Sequence, residues 1–177
     1  LWKEVDGART YFFYSDEGLA AEFDSSGNEL RAYGYTPDSI WTTNPLFLKQ
    51  NDEYFFYQND HLGTPQKLVN EAGTVVWAAV YTAFGLAEII IDDTENNLRF
   101  PGQYFDAESG LYYNLHRFYD PESARYTQTD PIGFDGGEVN LYLYVGNNPI
   151  NWLDPHGLAK KCVLKMMLVT AYCVTGP

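Results

Sequence analysis

The sequence predicts a mostly β fold, built from short hairpins in series with short helical or turn segments between them. The chain holds 15 Tyr, 11 Phe and 4 Trp among its 177 residues, a composition typical of strands because flat side chains cover a pleated surface well. Turn signals such as Asp6-Gly7 and Phe84-Gly85 separate short runs rich in aromatic residues and Val, as hairpins require. Residues 1–158 show no long apolar period of 3.6 residues, so we expect little helix.

An internal repeat organises the first half of the chain. Tyr11-Phe12-Phe13-Tyr14 returns as Tyr54-Phe55-Phe56-Tyr57, 43 residues later. Each copy is followed by a polar turn and then by a strand that starts at a glycine, over 27–33 and 73–81. One hairpin unit cannot bury its aromatic face alone and needs neighbours. We therefore predict that residues 1–95 form β-hairpin repeats at the end of a longer array.

The repeat is lost at Asn96, and denser motifs fill residues 96–158, which we predict to form a separate unit. Apolar residues alternate with tyrosines over 141–145, and this pattern predicts a strand.

Two acidic turn motifs stand out in this unit: Asp130-Pro131-Ile132-Gly133 and Asp154-Pro155-His156-Gly157-Leu158. Each is a good turn sequence, because Asp bonds its own backbone and Pro restricts φ. The two turns can also bring two carboxylates together. A carboxylate pair that shares a proton can hydrolyse a peptide bond. From the residues alone, both interpretations stand.

The composition changes directly after Leu158. Residues 1–158 carry 8 basic and 24 acidic residues, a formal charge of −16, whereas residues 159–177 carry three lysines and no acid. The acidic body argues against nucleic acid as its partner, because phosphate binding needs clustered Lys and Arg. We predict residues 159–177 to be a variable C-terminal segment, the start or remnant of another unit. Its cysteines, Cys162 and Cys173, can pair, although packed apolar thiols are the favoured prediction.

Other site types have no support in the sequence. It lacks a P-loop, a Rossmann glycine set, a Ser/His/Asp triad and a zinc-spaced Cys/His group, so we expect no cofactor and no metal. The acidic run over 92–97 lacks the Gly and terminal Glu of a calcium loop and is predicted to be solvated. The N-terminal stretch shows no signal-peptide pattern. Position 1 is Leu and the two methionines of the sequence are Met166 and Met167, so we expect the chain to be a fragment or a processed product.

Taken in order, the motifs resemble the RHS-repeat-associated core domain, which ends proteins of the RHS/YD-repeat family. The resemblance covers residues 1–158, and each of its motifs is weak alone but specific in series. The motifs lie at residues 57–65, 100–106, 110–114, 117–121, 130–133 and 154–158.

The resemblance implies a YD-repeat array that closes into a hollow β shell, with a plug that is an intramolecular aspartyl protease. The family's two catalytic aspartates fall on Asp130 and Asp154, and its motif arginine falls on Arg117. The bond that is cut falls between Leu158 and Ala159, where the composition changes. Phe134 departs from the Leu that is usual in the family, which is an apolar exchange.

The resemblance also implies a biological role. The freed C-terminal segment is expected to be a polymorphic toxin used in bacterial competition and delivered to target cells by a secretion system. The expected partners of the chain are its own upstream RHS shell and C-terminal toxin segment, together with secretion-machinery proteins and an immunity protein.

Only 19 residues follow the cut, so the segment that encodes the toxin is expected to be truncated, displaced or degenerate. Membrane activity of this basic, apolar segment is a further hypothesis. The alternative for the whole chain is a proteolytically inactive structural or carbohydrate-binding β-repeat remnant. An intact Leu158–Ala159 bond in purified protein favours that alternative.

Overall fold

The computed structural model describes residues 1–162 and confirms the mostly β prediction. Nine strands form one antiparallel sheet in which every strand pairs with its neighbour in the chain. They are β1 (Trp2–Val5), β2 (Ala8–Ser15), β3 (Gly18–Asp24), β4 (Glu29–Tyr35), β5 (Pro45–Gln50), β6 (Glu53–Asn59), β7 (Pro65–Asn70), β8 (Val75–Tyr81) and β9 (Ala87–Asp92).

A smaller antiparallel sheet follows, and a two-stranded ladder lies near the end of the described residues. The smaller sheet holds β10 (Tyr104–Asp106), β11 (Leu111–Asn114), β12 (Arg117–Asp120) and β13 (Arg125–Tyr126). The ladder pairs β14 (Trp152–Leu153) with β15 (Lys161–Cys162). Helix over residues 1–162 is limited to two 3₁₀ turns, Gly133–Gly136 and Val145–Asn147. In this part of the chain, no helix has the length and apolar character that crossing a bilayer requires.

The same kind of hairpin loop reverses the chain direction at two equivalent places in the large sheet. In the β3–β4 loop, Asp24 Oδ1 accepts hydrogen bonds from the N–H groups of Ser26 and Asn28, each at 2.8 Å. Asn70 does the same in the β7–β8 loop. Each loop places a glycine with φ of +83° three residues after the capping side chain, the left-handed position of a three-residue hairpin loop. The short polar and glycine clusters of the sequence therefore set the strand register.

The predicted repeat appears as two successive four-stranded units, β2–β5 and β6–β9. Tyr11–Tyr14 lies in β2 and Tyr54–Tyr57 lies in β6. The two copies also share a register shift in each of their first three strand pairings, from β2–β3 to β4–β5 and from β6–β7 to β8–β9. Such bulges increase the local twist of a sheet, so the two units bend in the same way.

Aromatic and aliphatic side chains form two buried clusters. The first covers one face of the large sheet and centres on Leu48, Leu68 and Trp77, each 1% exposed or less. The second belongs to the smaller sheet and the loops on either side of it: Phe100, Tyr112, Tyr119, Tyr126, Tyr144 and Val145. Tyr119 and Tyr144 lie in direct ring contact, with centroids 4.5 Å apart. Tyr126 of this second cluster also donates a hydrogen bond to Asp154, so the cluster connects directly to the second aspartate motif.

Two predictions about local structure are wrong. Residues 141–145 do not form a strand: the segment is a series of turns with one isolated bridge between Leu143 and Arg125. The carbonyl oxygen of Leu141 instead accepts hydrogen bonds from the Arg117 side chain and the Asp130 N–H. Cys162 is disulfide-bonded, which contradicts the favoured packed thiol; Cys173 lies outside the described residues.

Candidate active site around the aspartate pair

The structure brings Arg117, Asp130 and Asp154 together in a buried cluster. Arg117 Nη2 lies 3.1 Å from Asp130 Oδ2 and 3.2 Å from Asp154 Oδ2. The side chains of Arg117 and Asp154 are each 3% exposed, and that of Asp130 is 9% exposed. One guanidinium therefore bridges two carboxylates that lie 24 positions apart in the chain.

Each member of the cluster is placed by a different local element. Arg117 is the first residue of β12, and Asp154 directly follows β14. Asp130 precedes the first 3₁₀ turn, and its Oδ1 accepts a hydrogen bond from the Ile132 N–H at 3.0 Å. The aspartate motifs thus form the turns that their sequence favours. Their turn role and their convergence on Arg117 coexist in one structure.

Asp154 contacts the backbone on both sides of the bond between Leu158 and Ala159. Its Oδ1 accepts hydrogen bonds from the Leu158 N–H at 3.0 Å and the Ala159 N–H at 3.2 Å. Its Oδ2 accepts from the Tyr126 hydroxyl at 2.9 Å and from Arg117. In all four contacts, the Asp154 carboxyl group is the hydrogen-bond acceptor. The nitrogen of the Leu158–Ala159 peptide bond therefore lies within hydrogen-bond distance of a carboxylate oxygen.

Tyr126 and Asn114 complete this network, and sequence reasoning assigned no role to either. The Arg117 guanidinium carbon lies 3.6 Å from the centre of the Tyr126 ring, a close cation–π contact. Burial, together with the nearby Asp154 charge, raises the pKa of Tyr126 well above its ordinary value, so its hydroxyl remains a donor. Asn114 Nδ2 donates to that hydroxyl at 2.8 Å and to the Asp154 carbonyl oxygen at 2.9 Å.

Residues 114–117, where β11 turns into β12, hold the backbone that precedes Leu158. Besides Asn114, His116 Nδ1 donates to the His156 carbonyl oxygen at 2.8 Å, and Arg117 Nε donates to that of Gly157 at 2.6 Å. Three of the four carbonyls over 154–157 are therefore bound by one turn. The order of motifs in the sequence gave no indication of this direct contact.

Two glycines make this close approach possible. A Cβ atom on Gly102 would lie 2.2 Å from the Pro155 carbonyl oxygen, and one on Gly157 would lie 2.3 Å from the Asn114 carbonyl oxygen. Both distances are far below a normal contact, and both glycines have positive φ. A larger residue at either position would push the 154–158 segment off the smaller sheet.

The chain after Ala159 is also held. Trp152 pairs with Cys162 and Leu153 pairs with Lys161 in the β14–β15 ladder, so the Leu158–Ala159 bond lies in the loop of a hairpin. Lys160 Nζ contacts Glu138 Oε1 at 2.6 Å. Leu158 and Ala159 are both half-buried. The backbone on either side of the bond is thus anchored independently.

The His156 ring contacts the loop between β4 and β5 rather than the aspartate pair. Its ring stacks on Trp41, with centroids 4.8 Å apart and planes at 13°. Burial lowers the pKa of His156 below its usual 6.5. Over residues 1–162, no three His, Cys, Asp or Glu side chains lie close enough to form a metal site. The cluster around Arg117 brings together two carboxyl groups and a guanidinium.

Comparison with known proteins agrees with the motifs. Residues 55–87 match the model of the RHS protein family. The chain belongs to the RHS family. This segment spans β6 to the start of β9, within the second repeat unit.

Curated relatives of this RHS chain are much longer proteins. It is 41% identical over 128 residues to double-stranded DNA deaminase toxin A of Burkholderia cenocepacia, covering 70% of this chain and 9% of that protein. It is 39% identical over 117 residues to the toxin protein Tse5 of Pseudomonas aeruginosa, covering 66% and 8%. It is 30% identical over 165 residues to the tRNA nuclease WapA of Bacillus subtilis, covering 89% and 7%. The RHS chain therefore spans less than a tenth of the length of each of these three relatives.

Solved structures share the fold of this RHS chain. A crystal structure of TcdB2-TccC3 without its hypervariable C-terminal region matches with a TM-score of 0.60 at 20% identity, over 88% of this chain and 9% of that one. A Tc holotoxin pore of Photorhabdus luminescens that carries a TccC3 mutation matches with a TM-score of 0.59 at 19% identity, over 96% and 10%. At this level of identity, the likeness concerns the fold alone.

Proposed function

We propose that this RHS-family chain hydrolyses its own peptide bond between Leu158 and Ala159. The observation that supports this most directly is the position of Asp154. Its Oδ1 lies within 3.2 Å of the nitrogen atoms of both residues, while its Oδ2 shares Arg117 with Asp130. A carboxylate pair is thereby held next to one particular bond of the same chain.

The two carboxyl groups take different roles because they face different atoms of that bond. A Cβ atom built on Gly136 would lie 2.8 Å from Asp130 Oδ2 and 3.0 Å from the Leu158 carbonyl oxygen, so these two oxygens are at most about 5.8 Å apart. In the proposed reaction Asp130 carries a proton, comes into contact with this carbonyl oxygen and polarises it. Asp154, ionised, accepts a proton from the water that attacks the Leu158 carbonyl carbon. It then delivers this proton to the Ala159 nitrogen as the C–N bond breaks. The products are a carboxyl group on Leu158 and an amine on Ala159.

Arg117 makes this sharing of one proton favourable. Two close carboxylates resist being ionised together, and they titrate as a pair. With Arg117 between them, the cluster is neutral when the pair holds one proton. That state contains both the acid and the base that the reaction needs.

The test is the intact mass of the purified chain under denaturing conditions. We expect a body that ends at Leu158 and a peptide that starts at Ala159, and we expect Asp130→Asn and Asp154→Asn to remain in one piece. Asparagine keeps an acceptor oxygen for the turn hydrogen bonds, so these variants remove the acid chemistry and spare the turns. Asp135→Asn, which changes an exposed acid in the neighbouring 3₁₀ turn, is the control and should be cut. Normal cutting in both Asn variants would refute the proposal.

On a larger scale, we propose that the chain is the C-terminal part of an RHS-type polymorphic toxin. The relatives are named for different activities, a DNA deaminase and a tRNA nuclease, yet they share with this chain a segment of only 7–9% of their length. A shared segment beside unrelated activities supports a common carrier whose cut releases a variable effector. Residues 1–95 would form the last part of the upstream shell. Residues 96–158 would form the plug, and residues 159–177 would be the start of the effector.

This wider role includes partners and a destination. The upstream RHS shell would enclose the effector, secretion-machinery proteins would deliver it to target bacteria, and an immunity protein would protect the producer. Growth of bacteria that express residues 159–177 with any natural continuation, with and without the neighbouring gene, tests the effector and immunity parts together. Unimpaired growth in both cases would contradict them.

A further inference from the structure

Gly136 lies beside the aspartate pair and has no role in the turn that requires a glycine. It ends the 3₁₀ turn Gly133–Gly136 and is half-buried. Its φ lies outside the left-handed region, unlike that of Gly137, which is +83°. Any residue could adopt the backbone conformation of Gly136, so the reason for a glycine must lie in the space around it.

That space contains the two atoms that the reaction has to bring together. A Cβ atom on Gly136 would lie 2.8 Å from Asp130 Oδ2 and 3.0 Å from the Leu158 carbonyl oxygen. A carbon at 2.8 Å from an oxygen is closer than real Cβ atoms come, so one of the two groups would have to move. Asp130 has little freedom to move because Arg117 and the Ile132 N–H hold its two oxygens.

We propose that Gly136 is a positioning residue for self-cleavage, whose missing side chain allows Asp130 to reach the carbonyl oxygen of Leu158. The inference depends on the proposed function and adds a residue to it. A methyl group at position 136 separates the acid from the carbonyl that it polarises, while the backbone of the turn stays as it is. Displacement of a reacting group by about 1 Å is enough to slow a reaction about 100-fold.

Gly137 provides the matched control. A Cβ atom there would meet nothing within 4 Å, but the residue has a left-handed φ. Gly137→Ala therefore strains the same turn without filling the space, whereas Gly136→Ala fills the space without straining the turn. The two variants separate a local steric block from a general disturbance of residues 133–137.

The experiment follows cleavage of the full chain after cell-free synthesis, sampled over time and analysed by mass. We expect Gly136→Ala to cut at least about 100-fold more slowly than the parent, with an unchanged Tm. Gly137→Ala should have a lower Tm than the parent and a cleavage rate within about threefold of it, because this change affects stability alone. Equal cutting by Gly136→Ala and the parent would overturn the inference, as would equal slowing by both alanine variants.

A second measurement reports on the contact itself. In the uncut Asp154→Asn chain, the ¹³C shift of the Leu158 carbonyl should differ from that in the Asp130→Asn/Asp154→Asn chain, because the Asp130 carboxyl group lies beside this carbonyl. Addition of Gly136→Ala to both chains should abolish this difference, and its persistence would refute the positioning role. An uncut parent chain would instead refute the proposed function, so the two failures are distinguishable.

Discussion

Removal of the Arg117 charge leaves two buried carboxylates facing each other, and the cost can be worked from the geometry. Asp130 Oδ2 and Asp154 Oδ2 both lie within 3.2 Å of Arg117 Nη2. They are thus at most about 6 Å apart, where two like charges repel by about 3 kcal/mol at an effective dielectric constant of about 20. Arg117→Met should therefore be strongly destabilised at neutral pH.

The assay compares uncut chains only, so that cleavage does not complicate the unfolding curves. We expect Arg117→Met/Asp130→Asn to be more stable than Arg117→Met by about 3 kcal/mol at pH 7, because the second change removes the repulsion. The gap should close as the pH is lowered, because a carboxyl group that has taken up a proton no longer repels its neighbour. Urea unfolding at each pH gives both free energies.

The control for this prediction is Arg117→Met/Asp135→Asn. It removes an exposed carboxylate that does not contact Arg117, and its free energy of unfolding should stay within about 0.5 kcal/mol of that of Arg117→Met. An equal gain from both second changes would show that net charge, rather than the facing pair, sets the stability. Absence of any gain from Asp130→Asn would refute the electrostatic argument.

Three further perturbations test the surroundings of the pair. Tyr126→Phe removes a hydroxyl that donates to Asp154 and should lower the free energy of unfolding by about 2 kcal/mol, which thermal unfolding measures. Burial lowers the pKa of His156 from 6.5, so the folded state binds a proton there less readily than the unfolded state. The free energy of unfolding should therefore keep the full His156 contribution above pH 6.5 and decrease as the pH falls below it. His156→Phe, which keeps a ring on Trp41, should flatten this part of a Tm–pH curve. Gly102→Ala should prevent close docking of the 154–158 segment, and limited proteolysis of this segment should then be faster than in the parent.

The large sheet could be predicted from the sequence because its information is local. Asp24 and Asn70 cap hairpin loops through contacts within four residues, and the aromatic runs between such loops have one obvious face to bury. The pairing of each strand with the next then follows from the short loops. Local chemistry of this kind is visible in a single sequence.

The candidate site could be predicted only in part. Arg117, Asp130 and Asp154 were marked by the family resemblance, and the structure places them in contact. Nothing in the local sequence distinguishes Tyr126 and Asn114 from the other tyrosines and asparagines. Their role comes from hydrogen bonds to Asp154, which lies 28 positions after Tyr126 and 40 positions after Asn114. No local pattern encodes such a distance.

The error over residues 141–145 has the same origin. An alternation of tyrosine with apolar residues predicts a strand when the backbone has a strand partner. Here, the Leu141 carbonyl oxygen accepts from the Arg117 side chain and the Asp130 N–H, so these groups are not available to a ladder. The pairing with β13 is reduced to one bridge, beside which the Tyr142 carbonyl oxygen accepts from the Tyr126 N–H.

The arrangement around Leu158 also determines when the proposed cut can occur. Asn114, His116 and Arg117 bind carbonyls of the 154–157 segment, so the segment proposed to be cut is held by the same turn that supplies the arginine. Arg117 joins Asp130 to Asp154 only when β12 has formed and both aspartate turns have docked on it. A chain that has not folded therefore has neither an assembled carboxyl pair nor a bound substrate. The proposed cleavage therefore comes after folding and acts once on its own chain, since the segment that it cuts is part of the structure that creates the site.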